Sequence, residues 1–295
     1  MGLFSRRGDA PDDALPVLSR SRADRLRRAV LAELAALDPA GPAPVDGGSV
    51  VVGPRGVVRL TELAQHAAVH PEDAWPVLVR EYLAVATTPP AAPVDLAEVR
   101  DVVLPRLLPA DGHLDGAEAG RPAEGLVVRF CLDLPDRVQL LDDLAPLGGL
   151  EAVAPLADAN LRRLPAPEHH RLDPGSETEV HVFTADDFHV ATRLLAADDV
   201  LAGAGVPRSR HGLLAVVPSR HVLALHPVAG AGVVGAVTTL LAVARQEHHG
   251  PGAVSGDVYW RDADGRLQRI TARAEDGRVH VVVAGGFADV MAAVR

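Results

Sequence analysis

One chemical feature of this sequence is a cluster of acid, imidazole and guanidinium side chains. It consists of Asp186, Asp187, His189 and Arg193. A β-prone run over 179–183 ends just before the cluster, and Thr184 can cap a following helix whose positive end suits the two aspartates. His189 and Arg193 would share one face of that helix because they lie four residues apart. The pattern predicts either a polar-ligand site or a capped helix with a surface ion pair.

A second feature is the glycine spacing of a dinucleotide-binding turn. Gly230, Gly232 and Gly235 follow a strand candidate and open a helix, as that turn requires. The fingerprint also needs a second parallel strand that ends in an acidic residue about 20 positions later. A loop at 248–252 follows instead, and Asp257 opens a β-meander. The three glycines stay candidates for cofactor binding beside the alternative of a glycine-rich turn from hairpin to helix.

The histidine spacings predict no metal site. His66 and His70 have the four-residue separation of two zinc ligands on a helix, but Pro71 indicates that the helix ends there. No third ligand is identifiable near them. The histidine pairs at 169–170 and 248–249 are expected in solvent-exposed loops.

The nucleophile candidates are also incomplete. Ser219 precedes Arg220 in a turn and lacks the flanking glycines of a nucleophile elbow. Cys131, the single cysteine, lies in an apolar run, which is typical of a buried thiol. The chain contains no lysine, which excludes Schiff-base, pyridoxal phosphate and P-loop chemistry. No cofactor is expected.

Net charge and hydropathy indicate the expected class of partner and the cellular location. The net charge of −10 and the pI near 5.7 make a nucleic-acid partner unexpected, because such proteins usually present a basic face. No apolar run approaches the ~18 residues of a membrane span, and no secretory signal is recognisable. The prevalence of Ala, Pro and Arg is typical of a GC-rich bacterial genome. A cytoplasmic protein is therefore expected.

Apolar periodicity predicts an α+β fold with a mainly antiparallel sheet. The first predicted helix runs to about residue 37, and several arginines lie in its first turns over 20–28. These arginines predict either a solvated helix face or a contact surface for an anionic partner. Three β-hairpin–helix (ββα) units follow. They are the hairpin 49–60 with the helix 72–86, the hairpin 126–141 with the helix 150–164, and the hairpin 213–225 with the helix 233–247.

The C-terminal sequence predicts a β-meander and a final helix. Turns containing Asp-Gly separate strand candidates at 257–261, 267–273 and 278–284, and the helix covers about 287–294. The predicted domain organisation has four parts. They are a flexible tail at 1–16, a hairpin–helix unit at 17–93, a second at 94–165 with a mobile loop at 109–124, and a C-terminal unit at 177–295.

Three phrases of this sequence resemble the YtpQ-like bacterial family of unknown function. They are Ala157-Asp158-Ala159-Asn160-Leu161, the stretch from Asp186 to Leu195, and Val216-Val217-Pro218-Ser219-Arg220-His221-Val222-Leu223, in that order. The resemblance implies a cytoplasmic α/β protein and no established activity. It also implies that five positions be considered first as ligand-binding candidates: Asn160, Asp187, Arg193, Ser219 and Arg220.

Two functions from different classes follow from these patterns. The first is a non-enzymatic binding or adaptor protein, because every catalytic set is incomplete and the hairpins offer strand edges to which a partner can pair. Its expected partner is a protein, and a homo-oligomer is left open. The alternative is a small-ligand sensor or an enzyme that uses the Asp186–Arg193 cluster or the glycine turn at 230–235. A deep pocket with converging Asp, His and Arg side chains would favour the alternative.

Overall fold

The computed structural model describes residues 10–37, 43–45, 50–53, 56–86, 95–110, 116–134, 137–248, 252–274 and 277–294. These residues form two compact units, the first within 10–86 and the second within 95–294. Each unit mixes helices with strands, and every strand pair in the described ranges is antiparallel. The predicted α+β class with mainly antiparallel sheet is confirmed.

The first unit contains three helices and a small sheet. The helices are α1 (Arg20–Leu37), α2 (Thr61–Val69) and α3 (Trp75–Ala86), and the strands are β1 (Ala43–Val45), β2 (Val50–Gly53) and β3 (Gly56–Arg59). Leu26, Val30 and Leu34 of α1 are fully buried, as an amphipathic helix requires. The helix predicted over 72–86 begins only at Trp75, after a 3₁₀ turn at Glu72–Ala74.

Residues 10–16, which the sequence analysis assigned to a flexible tail, are packed into the first unit. Leu15 is buried, and Asp12 accepts a hydrogen bond from its backbone N–H at 2.9 Å. The carboxylate of Asp12 also lies 2.6 Å from Arg27, and this charge-assisted hydrogen bond lowers the pKa of Asp12 to about 2. Residues 1–9 of the predicted tail lie outside the described ranges.

The arginines of α1 mostly contact acids of the same unit. Arg20 pairs with Asp13 at 3.1 Å, and Arg25 pairs with Glu72 at 2.8 Å. Arg27 contacts Asp12, as described above. The helix therefore presents few uncompensated cations, and the structure favours the solvated-face interpretation over an anionic partner.

The second unit begins with a four-stranded sheet and a helix. Its elements are α4 (Leu96–Val99), β4 (Val103–Pro109), β5 (Gly120–Ala123), β6 (Leu126–Leu134), β7 (Arg137–Leu140) and α5 (Gly149–Arg163). The long strand β6 pairs with β4 along one edge and with both β5 and β7 along the other. Part of the segment 109–124 is therefore a strand where a mobile loop was predicted, and residues 111–115 lie outside the described ranges.

A six-stranded sheet forms the larger part of the second unit. Its strands are β8 (Glu168–Leu172), β9 (Val180–Thr184), β10 (Leu213–Ser219), β11 (Val222–Pro227), β12 (Ala253–Arg261) and β13 (Leu267–Arg269), in the order β13-β12-β10-β11-β9-β8. The helices α6 (Ala197–Gly203) and α7 (Val233–Glu247) accompany it. Every residue of β10 is buried, as expected for a central strand. The histidine pair at 169–170, which was expected in a loop, lies in β8.

The C-terminal part differs slightly from the predicted meander. The candidate strand at 267–273 divides at the buried Ile270 into β13 and β14 (Thr271–Arg273), and β14 forms a two-stranded ribbon with β15 (Val279–Val281). The final helix α8 covers Gly285–Ala293. The three predicted hairpins β2–β3, β6–β7 and β10–β11 belong to three different sheets, so the ββα units do not share one sheet.

The helices of the described ranges include none that is both long enough and apolar enough to cross a lipid bilayer.

Candidate functional site

The predicted cluster after β9 adopts a tight turn instead of the helix expected from Thr184. Thr184 is the last residue of β9, and the next helical residues form a 3₁₀ helix at Ala191–Ala196. Asp187 connects the end of β9 to this 3₁₀ helix. Its Oδ1 accepts a hydrogen bond from the backbone N–H of His189 at 2.8 Å, and its Oδ2 accepts one from Nη2 of Arg193 at 3.0 Å. Asp187 therefore shapes the turn, while Asp186 is exposed.

Arg193 is almost completely buried by this turn. Its side chain is 5% exposed, and its Nη2 also donates to the carbonyl oxygen of Pro165 at 2.9 Å. Its Nε is buried and has no hydrogen-bond partner in the described part of the chain. Such an unpaired donor is unusual inside a protein and calls for a specific explanation.

His189 is fully buried beside the same turn. Neither ring nitrogen has a hydrogen bond of normal geometry to a described residue, and Nε2 lies 3.7 Å from Oδ2 of Asp133. Burial lowers the pKa of His189, and the Asp133 carboxylate and the Pro105 carbonyl only partly oppose that effect. A neutral imidazole without exposed surface packs in the core and does not reach a ligand from solvent.

Arg220 and His221, which lie between β10 and β11, support the Asp187 turn. Nε of Arg220 donates to Nε2 of His221 at 3.0 Å, so His221 carries its proton on Nδ1. That Nδ1 donates to the carbonyl oxygens of Ala185 and Asp187 at 3.1 and 3.0 Å. The guanidinium of Arg220 lies 4.3 Å from the ring centroid of Phe188. Arg220 thus contacts the turn directly, as part of its scaffold.

The other ligand-binding candidates from the sequence are also held by backbone contacts. Asn160 is buried in α5, and its Nδ2 donates to the carbonyl oxygens of Arg100 and Val103, both at 2.8 Å. Ser219 is buried at the end of β10, where it pairs with Val222 and Ala253 next to irregularities in both ladders. Asn160 therefore ties α5 to the start of β4, and Ser219 ends a strand.

The glycine turn has no open space for a dinucleotide at the start of α7. A methyl group on Gly232 would overlap the backbone carbonyl of Glu177, and one on Gly235 would overlap the side chain of Thr178. The chain's own segment thus covers the backbone that would meet a pyrophosphate. The preceding strand β11 is also antiparallel to both of its neighbours, whereas the dinucleotide fold requires parallel strands. The glycine-rich turn is the interpretation that the structure favours.

A cleft of about 200 Å³ opens beside the buried Arg193. Its lining comes from the end of α5, the segment leading into β8, the strand β9, the 3₁₀ helix and α6. The apolar part of the wall is formed by Leu161, Leu164, Phe183, Ala196 and Val200. The polar part is formed by Arg162, His169, Arg193 and Asp199. Of the residues singled out from the sequence as site candidates, only Arg193 lines this cleft.

His169 brings a chain of polar groups to the cleft. Its ring stacks on Phe183, with centroids 4.8 Å apart, and its Nε2 lies 3.0 Å from Nδ1 of His181. Nε2 of His181 lies 3.7 Å from Oε1 of Glu179. Glu179 is ion-paired with Arg171, whose hydrogen bond is the main cause that lowers the pKa of this carboxyl to about 2.

His169, His181 and Phe183 were not predicted as site residues, and His169 was expected in an exposed loop. His169 and Phe183 are cross-strand partners of β8 and β9. β8, with the sequence Glu-His-His-Arg-Leu, is too polar to be recognised as a strand, so its pairing with β9 left no signal in the sequence. Within the described ranges, no three or more His, Cys, Asp or Glu side chains are arranged to hold a metal ion.

Acidification below about pH 6.5 is expected to destabilise the second unit. Burial lowers the pKa of four of its histidines, which are His169, His181, His189 and His226. The unfolded chain, with its usual pKa near 6.5, then binds more protons than the folded chain. Full stability is therefore present above pH 6.5 and is lost as the pH falls through the lower folded-state pKa values. Thermal unfolding at about pH 7.5 and about pH 5.5 measures the difference, with several degrees expected.

The variant His189→Phe provides the control for this pH dependence. It removes a fully buried imidazole whose charged neighbours are Asp133, Arg106 and Asp187. We expect a smaller change of the melting temperature between the two pH values than in the unmodified protein. A melting temperature that is the same at both pH values would contradict the assignment of these histidines as neutral.

Comparison with known proteins found no relative of this chain. No protein-family model, no curated protein and no solved structure matches the chain. The likeness to the YtpQ-like family therefore stays a prediction that rests on three short sequence phrases.

Proposed function

We propose that this chain is a non-enzymatic binding protein that takes a small ligand in the cleft beside Arg193. The observation that carries the proposal is the guanidinium of Arg193, which lines the cleft and makes both of its hydrogen bonds to described residues through Nη2. A ligand acceptor that reaches this guanidinium gains a charge-assisted hydrogen bond, which is roughly twice as strong as a neutral one. Pockets that join apolar walls with a few converging polar groups are typical ligand sites.

The proposal excludes catalysis by the predicted cluster because its groups are already engaged. Asp187 uses both carboxylate oxygens on protein donors, and His189 has no exposed surface. Cys131 is buried, and burial raises the pKa of its thiol to about 12, so it carries no thiolate at neutral pH. These three groups would be the natural base and nucleophile, and none of them is placed to react with a ligand in the cleft.

The size of the cleft limits the ligand. Its volume of about 200 Å³ is smaller than the roughly 300–1,000 Å³ of typical drug-sized sites. It corresponds to about seven groups of the size of a water molecule. The proposed ligand is therefore a small molecule.

The test uses a bulky residue placed on the cleft wall. Gly203 lines the cleft, and a methyl group built on it meets nothing within 4 Å among the described residues, so Gly203→Trp is expected to fold and to fill the space. Ala202 is its neighbour on α6, is exposed and does not line the cleft, so Ala202→Trp is the matched control. Native mass spectrometry of protein purified from its own host is the measurement.

We expect a small added mass on the unmodified protein and on Ala202→Trp, and no added mass on Gly203→Trp. An added mass that persists in Gly203→Trp would place the ligand elsewhere and contradict the proposal. An unmodified protein that never carries a small mass, and that is not stabilised by any compound of a metabolite library, would contradict it as well.

One structural observation, an exposed outer strand, favours the adaptor interpretation. Strand β8 is one of the two outer strands of the six-stranded sheet among the described strands, and four of its five residues are exposed. A partner peptide can add to such an edge by main-chain hydrogen bonds. A co-purifying protein, or a homo-oligomer without added small mass, would favour a protein partner in the cytoplasm over the small ligand.

A further inference from the structure

We propose that the ligand of the cleft is a small organic monoanion, a carboxylate on an apolar body, held between Arg193 and His169. The inference rests on the proposed function, because it names the chemical class of ligand for the same cleft. It adds that binding takes up a proton from solvent at His169.

Arg193 supplies a fixed cation with donors to spare. Both of its protein hydrogen bonds use Nη2, one to Asp187 and one to Pro165. Nε is enclosed by the protein, and both N–H groups of Nη2 are used by these two bonds, so Nη1 is the nitrogen left to donate to a ligand. A carboxylate oxygen can accept a charge-assisted hydrogen bond from it, and Asp187 already holds the guanidinium in position. An acceptor with negative charge therefore fits this part of the cleft better than a neutral group does.

The hydrogen-bond chain behind His169 determines where its proton lies. The carboxylate of Glu179 is an acceptor only, so it favours a proton on the facing Nε2 of His181. Nδ1 of His181 then accepts the Nε2–H of His169 across 3.0 Å. Nδ1 of His169 is the ring atom left to take up a further proton. Protonation there creates an imidazolium at the wall of the cleft.

The charges around His169 make that protonation depend on a ligand. Arg171 and His170 beside it, and Arg193 and Arg162 on the cleft wall, disfavour a further positive charge. Glu179 and Asp199 favour it, but burial dominates and holds the pKa of His169 below its usual range. A bound carboxylate adds one negative charge close to the ring. The imidazole is then expected to take up part of a proton as the anion binds.

The rest of the wall restricts the ligand to a monoanion with an apolar body. Leu161, Leu164, Phe183 and Val200 offer apolar contact. Asp199 lies on the wall as well, ion-paired with Arg162, whose charge is also shared by Asp158. A second carboxylate on the ligand would meet Asp199 without a free cation to balance it. Dicarboxylates are therefore expected to bind less well than monocarboxylates.

The experiment compares acids with neutral molecules of the same shape. The probes are benzoate and hexanoate, their neutral counterparts benzyl alcohol and hexanol, and the dicarboxylate succinate. Titration calorimetry of the full chain is run near neutral pH in two buffers with different ionisation enthalpies, which reports proton uptake. We expect at least one monocarboxylate to bind with uptake of a fraction of a proton. The matched alcohol and succinate are expected to bind roughly tenfold or more weakly.

Two variants separate the roles of the cation and the imidazole. Arg193→Leu is expected to weaken the monocarboxylate roughly tenfold or more and to leave the alcohol unchanged. His169→Phe keeps an aromatic ring against Phe183 but removes the titrating nitrogen, and it is expected to abolish proton uptake. His169 is half-buried on an outer strand, so this variant carries the test if Arg193→Leu does not fold.

The possible failures are distinguishable. Alcohols that bind as tightly as acids would overturn the ligand class, and proton uptake that persists in His169→Phe would overturn the role of the imidazole. Either result leaves the cleft as a binding site. If no probe binds, and Gly203→Trp also retains every small mass found on the unmodified protein, the proposed function itself is overturned.

Discussion

Asp187→Ala is expected to lower the free energy of unfolding of the second unit by about 3 kcal/mol, the lower end of the cost of breaking a buried ion pair. The change leaves the guanidinium of Arg193, whose side chain is 5% exposed, with the Pro165 carbonyl as its remaining hydrogen-bond acceptor in the described ranges. It also removes the acceptor of the His189 backbone N–H. A charge that is buried without its partner retains its full desolvation cost, which is why one carboxylate has so large an effect.

The matched variant is Arg193→Met, which we expect to lower the free energy of unfolding by less, about 1–2 kcal/mol. The side chain of Asp187 is 30% exposed, so water can solvate the carboxylate once the arginine is gone. Asp187 would also still accept the His189 N–H. The methionine fills much of the arginine's volume with apolar groups.

Denaturant unfolding of both single variants and of the double variant measures this asymmetry. The double variant is expected to be less destabilised than the sum of the two single changes, because the two residues contact each other. A larger cost for Arg193→Met than for Asp187→Ala would contradict the assignment of a buried, paired guanidinium.

The parts of the fold with strong periodicity could be predicted from the sequence. Helix α7 was expected over 233–247 and occupies Val233–Glu247, because apolar residues recur at helical spacing between a glycine turn and a loop. The central hairpin β10–β11 was expected because two apolar runs flank a short turn. In both cases burial on a known face imposes the pattern that sequence analysis detects.

The missed elements lack that pattern for a physical reason. Strand β8 has the sequence Glu-His-His-Arg-Leu, because an outer strand paired on one side is mostly exposed and needs no apolar alternation. The turn at Asp187 was predicted as the start of a helix capped by Thr184, because aspartates suit both the first turn of a helix and a tight turn in which they accept a backbone N–H. Only the three-dimensional contact with Arg193 distinguishes them.

The candidate site could be predicted only in part. Arg193 was recognised by its neighbours in the chain, but the cleft depends on residues from separate elements, such as Leu161, His169 and Val200. Their proximity results from the pairing of β8 with β9 and from the position of α6, and neither leaves a local signature. The polar groups that were easiest to recognise, Asp187 and His189, are those that the fold uses to build the turn.

The glycines of the α7 turn are expected to differ sharply in their tolerance of a side chain. Gly232→Ala should lower the free energy of unfolding by about 3 kcal/mol, since a methyl group there overlaps the backbone carbonyl of Glu177 and forces the segment to move. Gly235→Ala should cost less, because it meets the side chain of Thr178 rather than backbone. Gly230→Ala should be nearly neutral, because its methyl group meets nothing within 4 Å among the described residues.

This order distinguishes packing from cofactor binding. If the turn held a pyrophosphate, Gly230→Ala would disturb the tight turn as much as the other two, and added NAD or FAD would stabilise the unmodified protein. If the turn only packs against residues 177–178, the ranking follows the three contacts, and neither dinucleotide changes the denaturation midpoint. Urea unfolding of the three variants, with and without each dinucleotide, gives both readouts. Equal costs at Gly230 and Gly232, or stabilisation by either dinucleotide, would contradict the packing interpretation.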